Sequence, residues 1–213
     1  MSFDPLIDQL AGNLKPVRPR RFGQDAAIIA LICIAEIGIF FALGAALPNM
    51  PMKMRQPTFW WRLISLGLIA VISCIPAILS FNPAYSPRRA LRWIYAVIGI
   101  CLLTGLWFDI GWDGLAGLIH RIDWRDGVQC AFKMFALSIP PMVGLGMLMR
   151  RGAPTDQAKS AWLIGIAAAA WGAFVFVFAC PFNDALYIVI WYGVGCGAVT
   201  LLSRALLPYL ARW

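Results

Sequence analysis

The chain has 213 residues, 61% of them hydrophobic and only 13% charged, with a formal net charge of +8 and a mean hydropathy of +0.75. A soluble domain is nearer half apolar and a quarter charged. A water-soluble globular enzyme is therefore excluded, and the solvent of most of this chain is lipid.

The first element in chain order is Ser2–Leu14. Ser2 or Asp4 can cap a helix, Pro5 suits its first turn, and acids come early. Phe3, Leu6, Ile7, Leu10 and Leu14 fall on one face at helical spacing. Pro16 and Pro19 then stop the helix, and Lys15–Arg21 forms a basic, membrane-proximal linker. An isolated helix this short is marginal, so the stripe needs something to pack on. Its polar face, with Asp4, Asp8, Gln9 and Asn13, lacks the cations of a typical interfacial helix. A groove on a partner protein fits it better.

Six apolar runs follow, roughly Ala26–Leu47, Trp60–Phe81, Trp93–Ile110, Cys130–Met149, Ser160–Cys180 and Ala185–Leu207. Each is long enough to cross a ~30 Å hydrocarbon core as helix. Proline-bearing or charged breaks separate them. The first run is too long for a cleavable signal peptide and lacks a small-residue cleavage site. With six spans both termini share a side, and twelve of the 18 basic residues collect there. They are Lys15, Arg18, Arg20, Arg21, Arg88, Arg89, Arg92, Arg150, Arg151, Lys159, Arg204 and Arg212. The positive-inside rule places both termini in the cytoplasm. Net positive charge then reflects topology and lipid contact, with no direct nucleic-acid binding expected. Trp60, Trp61, Trp107, Trp112 and Trp124 mark the outer interface.

The inventory argues against catalysis. The longest inner loop has about ten residues, too few for a catalytic domain. His120 is the only histidine, which excludes a bis-His haem. No Cys-x-x-Cys, phosphate loop or nucleophile elbow is present.

Of the six cysteines, Cys33, Cys74, Cys101 and Cys196 lie deep in the runs and read as small apolar residues. Cys130 and Cys180 differ. The short Arg150–Lys159 loop makes the fourth and fifth spans antiparallel neighbours. Each of the two cysteines stands about 20 residues, or ~30 Å of helix, from that loop. They should arrive together at the outer surface. A disulfide is feasible there if the Cα atoms approach within about 7 Å; two unrelated interfacial thiols are the alternative.

Several segments now resemble one family. They are Leu6-Ile7-Asp8-Gln9-Leu10 with Lys15-Pro16-Val17-Arg18-Pro19, then Cys130, and Arg150-Arg151-Gly152-Ala153-Pro154. Cys180-Pro181, Trp191-Tyr192 and the terminal Arg212-Trp213 complete the pattern. In order and spacing the chain resembles the NrsF family, membrane-embedded anti-sigma factors that restrain an extracytoplasmic-function (ECF) sigma factor. The resemblance implies an all-α membrane protein with six transmembrane helices and a short cytoplasmic N-terminal amphipathic helix. Residues 1–25 would be a cytoplasmic sigma-binding segment, using Phe3, Leu6, Ile7, Leu10 and Leu14. Residues 26–213 would be a six-helix sensor domain in the bacterial inner membrane. It further implies that Cys130 and Cys180, on the periplasmic side, sense oxidant or heavy metal. No resident cofactor is expected, only a disulfide or transient soft-metal binding at that pair. Family members often carry His just before the second cysteine; here Ala179 stands there, so a His-assisted site is not implied.

Three features complete the list of candidates. Glu36 is a carboxylate in mid-span, a candidate polar site by its cost alone, and pairing with a neighbouring helix is the expected role. Pro140-Pro141 should kink the fourth span and is a candidate hinge. Gly165, Gly172, Gly193, Gly195 and Gly197 suggest close helix packing. A small inner-membrane transporter is the alternative function; it predicts broken helices and a polar mid-membrane cavity.

Overall fold

The computed structural model describes residues 21–113, 124–182 and 184–210. The N-terminal stripe of Phe3, Leu6, Ile7, Leu10 and Leu14 lies outside the described residues. The elements in order are α1 (Phe22–Ala42), α2 (Met50–Lys53), α3 (Pro57–Leu79), α4 (Arg88–Asp113), α5 (Trp124–Arg150), α6 (Gln157–Phe176) and α7 (Ala185–Leu210). Among the described residues all regular structure is helical, and six of these helices are long and apolar enough to cross a membrane.

The element boundaries depart from the sequence reading in three places. α1 ends at Ala42 rather than Leu47, and a short helix, α2, occupies the proline-rich stretch after it. α5 begins at Trp124, so Cys130 lies in its second turn rather than at its tip. α6 ends at Phe176, which leaves Cys180 in the connection to α7. Pro181 explains the last shift: its ring forbids continued helix and biases the preceding residue toward extended backbone. α5 remains helical through Pro140 and Pro141.

α6 is the hub of the bundle and packs against α3, α5 and α7. From Ser160 to Phe176 all its residues are buried except Trp162, Trp171 and Phe174, which are partly exposed, as suits a helix apolar all round. Its N-terminus is capped by Asp156, whose carboxylate accepts from the Lys159 amide at 3.0 Å and also pairs with the Lys159 ammonium. The Ala167–Ala170 run lets its neighbours come close. α1 leans mainly on α5, and α4 on α3 and α7; Leu31, Ile34, Leu103 and Trp107 on these outer helices are exposed, as surfaces facing lipid would be.

Lipid is as apolar as leucine, so helices in a bilayer associate through close van der Waals fit and small residues rather than apolar burial. The glycines show this. A Cβ on Gly165 would lie 2.7 Å from Thr200 Cα, and one on Gly172 would lie 2.2 Å from Ser138 Oγ. Gly195 is equally tight against Met134. Gly193 and Gly197 break the expectation, because both face open space beside a cleft.

The buried side chains fall into two clusters, one at each end of the bundle. One gathers Ile29, Phe81, Ile94, Leu145, Met149 and Leu163 toward the end holding Arg21 and Leu210. The other gathers Phe59, Cys130, Met134, Phe176, Cys180, Tyr187 and Tyr192 at the opposite end.

Candidate functional site

The second cluster brings the two cysteines together. Cys130 is 5% exposed and Cys180 is fully buried, and both are free thiols. This corrects the expectation of an interfacial pair at the surface. The other four cysteines, read as the deep ones, are only half-buried. The physical reason is the roof that the loops build over the pair.

That roof is made of cations and carbonyls. Leaving the helix at Val177 strands the carbonyl oxygens of Cys180, Pro181 and Phe182 without helical partners. Lys53 Nζ from α2 takes the first two, at 2.9 Å from Cys180 O and 2.5 Å from Pro181 O. Arg62 from α3 takes the third, with Nη1 2.9 Å from Phe182 O. The Leu47 amide also bonds to Phe178 O at 3.0 Å, stitching the α1–α2 loop to the α6–α7 connection. Arg62 is only 1% exposed. Charge-assisted bonds of this kind, contributing about 1.5–3 kcal/mol each, hold Cys180 in place. Sequence reasoning counted Lys53 and Arg62 only as outer-side charges. The available signal was Arg62 standing inside an apolar run, where a cation is costly and functional by default.

The walls are aromatic. Tyr187 Oη donates to Cys130 Sγ at 3.7 Å. Its ring tilts against Phe182, with centroids 4.4 Å apart. α5 fits closely on α7 here, since a Cβ on Gly127 would strike the Trp191 ring at 1.9 Å. Cys180 Sγ lies 3.6 Å from Phe182 O and faces Cys130, Arg62 and Tyr192. The Tyr192 hydroxyl is buried beside Cys180 without a well-formed hydrogen bond.

Cys180 lies beyond the end of the α6 span. A hydrogen bond from the Cys130 thiol holds its pKa below the ordinary thiol range; burial opposes this, and the Arg62 guanidinium adds to the lowering. The pair is thus asymmetric, a nucleophilic Cys180 beside a thiol that can close on it. Among the described residues no third His, Cys, Asp or Glu joins them to complete a metal-binding group. Two thiols alone suit disulfide formation or loose soft-metal capture.

The remaining candidates lie elsewhere. Glu36 of α1 is buried at 8% exposure and accepts from Trp171 Nε1 of α6 at 3.0 Å, while its Oε1 has no partner. That is the interhelical pairing expected of it. Pro140 and Pro141 lie about three turns below Cys130 on α5 and take no part in the thiol site.

The described residues thus form an all-helical bundle, six of its helices long and apolar enough to cross a membrane, closing over a pair of buried thiols. The family described as "Negative regulator of sigma F" (NrsF) matches residues 10–213, and the chain belongs to it. It is 27% identical over 223 residues to the "Anti-sigma-F factor NrsF" of Caulobacter vibrioides (strain NA1000 / CB15N), covering 100% of both chains. It is 24% identical over 230 residues, again over 100% of both, to the "Probable anti-sigma-F factor NrsF" of Azospira oryzae (strain ATCC BAA-33 / DSM 13638 / PS). No solved structure matches the chain. These relatives support a regulatory, non-enzymatic role as a negative regulator of a sigma factor.

Proposed function

We propose that this chain is an inner-membrane anti-sigma factor that holds an ECF sigma factor through Phe3, Leu6, Ile7, Leu10 and Leu14. It releases that factor when Cys130 and Cys180, on the periplasmic side, are oxidised or capture a soft metal. The observation that carries the reading is the buried thiol pair seated between α5, α6 and α7. Closing or breaking one bond there changes how α5 and α6 pack. Both helices run without interruption to the Arg150–Lys159 turn at the far end, the cytoplasmic end under the proposed topology. The periplasm is oxidising and the cytoplasm reducing, so a pair near the outer face responds to external stress alone.

The test is co-purification. Sigma factor should elute with the membrane protein from unstressed cells and be absent after oxidant or cadmium treatment. Cys130→Ser and Cys180→Ser should each lock one state while membrane insertion stays normal, and Cys101→Ser should behave as wild type. Normal induction in the double Ser variant would remove the thiol pair from signalling. A periplasm-only reporter active at Trp213 would overturn the orientation.

A further inference from the structure

α4 has one face in the bundle and one outside it. The buried positions Ile94 and Gly105 fall together on the side that leans on α3 and α7. At helical periodicity the opposite side collects Arg89, Arg92, Trp93, Ile100, Leu103 and Trp107 within an arc of about 100°, and all six are exposed. The rise from Arg89 to Trp107 is about 27 Å, close to the ~30 Å of a hydrocarbon core. Trp93 and Trp107 bracket the apolar part, as rings that anchor a helix at the two interfaces do. Arg89 and Arg92 therefore stand at headgroup depth, in line with an apolar stripe that faces lipid.

The two arginines belong to a basic hollow. Tyr85, Ser86, Arg88, Arg89, Arg92 and Trp93 enclose about 590 Å³ where α3 gives way to α4, and no acidic side chain lines it. Arg88 lies in the field of Asp156, a carboxylate already paired with Lys159. Among the described residues Arg89 and Arg92 have no such partner. The bundle's other placed cations are occupied, Arg62 by Phe182 O and Arg204 by the Trp162 ring. Three guanidiniums this close repel one another, and an anion among them relieves that repulsion. Their planar forks match phosphate oxygens two at a time.

The stripe identifies the source of the phosphate. A lipid phosphate held by Arg89 and Arg92 lays its acyl chains along Ile100 and Leu103. A free phosphate or an acidic protein loop would leave that apolar face unused. A choline or ethanolamine head adds a cation beside the phosphate, which Arg88 repels. We propose that α4, at the end of the bundle holding Arg21, binds one anionic phospholipid of the phosphatidylglycerol type. Its phosphate sits between Arg89 and Arg92, and its chains follow the Ile100–Leu103 face. The lipid supports α4 on the side opposite α3 and α7. This proposal rests on the membrane reading above and adds a specific lipid site to it.

The experiment places the full-length protein in nanodiscs of mixed phosphatidylglycerol and phosphatidylcholine and identifies retained lipid by native mass spectrometry. One phosphatidylglycerol should be retained in preference to phosphatidylcholine. Arg89→Gln with Arg92→Gln should lower that retention about thirtyfold, the effect of two cations near an anionic surface. Both side chains are exposed, so Tm in pure phosphatidylcholine should not change. Arg150→Gln with Arg151→Gln alters basic residues at the same end outside the hollow and should leave retention as it is. An equal loss there would reduce the effect to a general attraction of basic loops and overturn the proposal. Displacement of the lipid by millimolar inorganic phosphate would make the hollow a free-phosphate site and overturn it too. Unchanged retention in the Arg89/Arg92 variant would refute the site; if that variant also loses sigma factor on co-purification, the face docks protein instead. Insertion with equal retention of both lipids refutes the site and leaves the membrane reading standing. Failure to enter nanodiscs of any composition refutes the membrane reading itself.

Discussion

Gly172→Ala tests whether the thiol pair depends on the close meeting of α5 and α6. The new Cβ would stand 2.2 Å from Ser138 Oγ and 2.8 Å from both Met134 O and Ser138 N, where 3.4 Å is ordinary contact. The Ser138 hydroxyl must therefore retreat by about 1.2 Å and the α5 backbone by about 0.6 Å. The hydroxyl also loses its 2.8 Å bond to Met134 O if it rotates away. Overpacking of this kind costs about 1–3 kcal/mol, or a fall in Tm of roughly 3–10 °C for a chain of this length. Met134 and Ser138 lie one and two turns below Cys130 on α5, so the same wedge tilts Cys130 away from Cys180. Disulfide closure by diamide, read as thiol loss on a gel, should slow together with the fall in Tm. Adding Ser138→Ala removes the 2.2 Å contact but leaves the backbone ones, so it should restore only part of both. A Gly172→Ala variant with unchanged Tm and unchanged closure would mean that the helices do not meet here, and the account of how the pair is positioned would be wrong.

Three further outcomes are expected. Because the Cys180 thiol is held below the ordinary range, first by its bond from Cys130 and then by Arg62, its alkylation should persist at neutral pH and fade as pH drops through the depressed pKa. Cys130→Ala and Arg62→Gln should each move that profile to higher pH, and an unmoved profile in both would discount the asymmetry. Glu36→Ala leaves the Trp171 indole N–H unpaired and should lower stability by about 1–3 kcal/mol, whereas Glu36→Gln keeps an acceptor and should stay near wild type; calorimetry of both variants decides between pairing and any deeper role. Leu6→Asp with Leu10→Asp puts charge into an apolar contact at a cost of several kcal/mol, so sigma-dependent genes should be constantly on with the bundle still inserted, and full repression in that variant would remove the segment from the mechanism.

Apolar runs and proline breaks, by themselves, determined that this is a helical protein with six membrane-length helices, because burying backbone in lipid leaves few alternatives to helix. Counting residues from the Arg150–Lys159 loop was enough to match the depth of Cys130 and Cys180, since helical rise is constant. The pairing of Glu36 with a neighbouring helix followed from the same cost of burying a carboxylate. Tertiary structure alone decided the rest. It buried the thiols, because the α2 turn and Arg62 come from a distant part of the chain to hold the carbonyls that Pro181 frees. It also sorted the glycines: Gly165, Gly172 and Gly195 meet another helix, whereas Gly193 and Gly197 face a cleft. One-dimensional spacing carries the depth of a residue along its helix. It does not carry the rotation of one helix against the next, and that rotation separates a packed glycine from an open slot and a surface cysteine from a buried one.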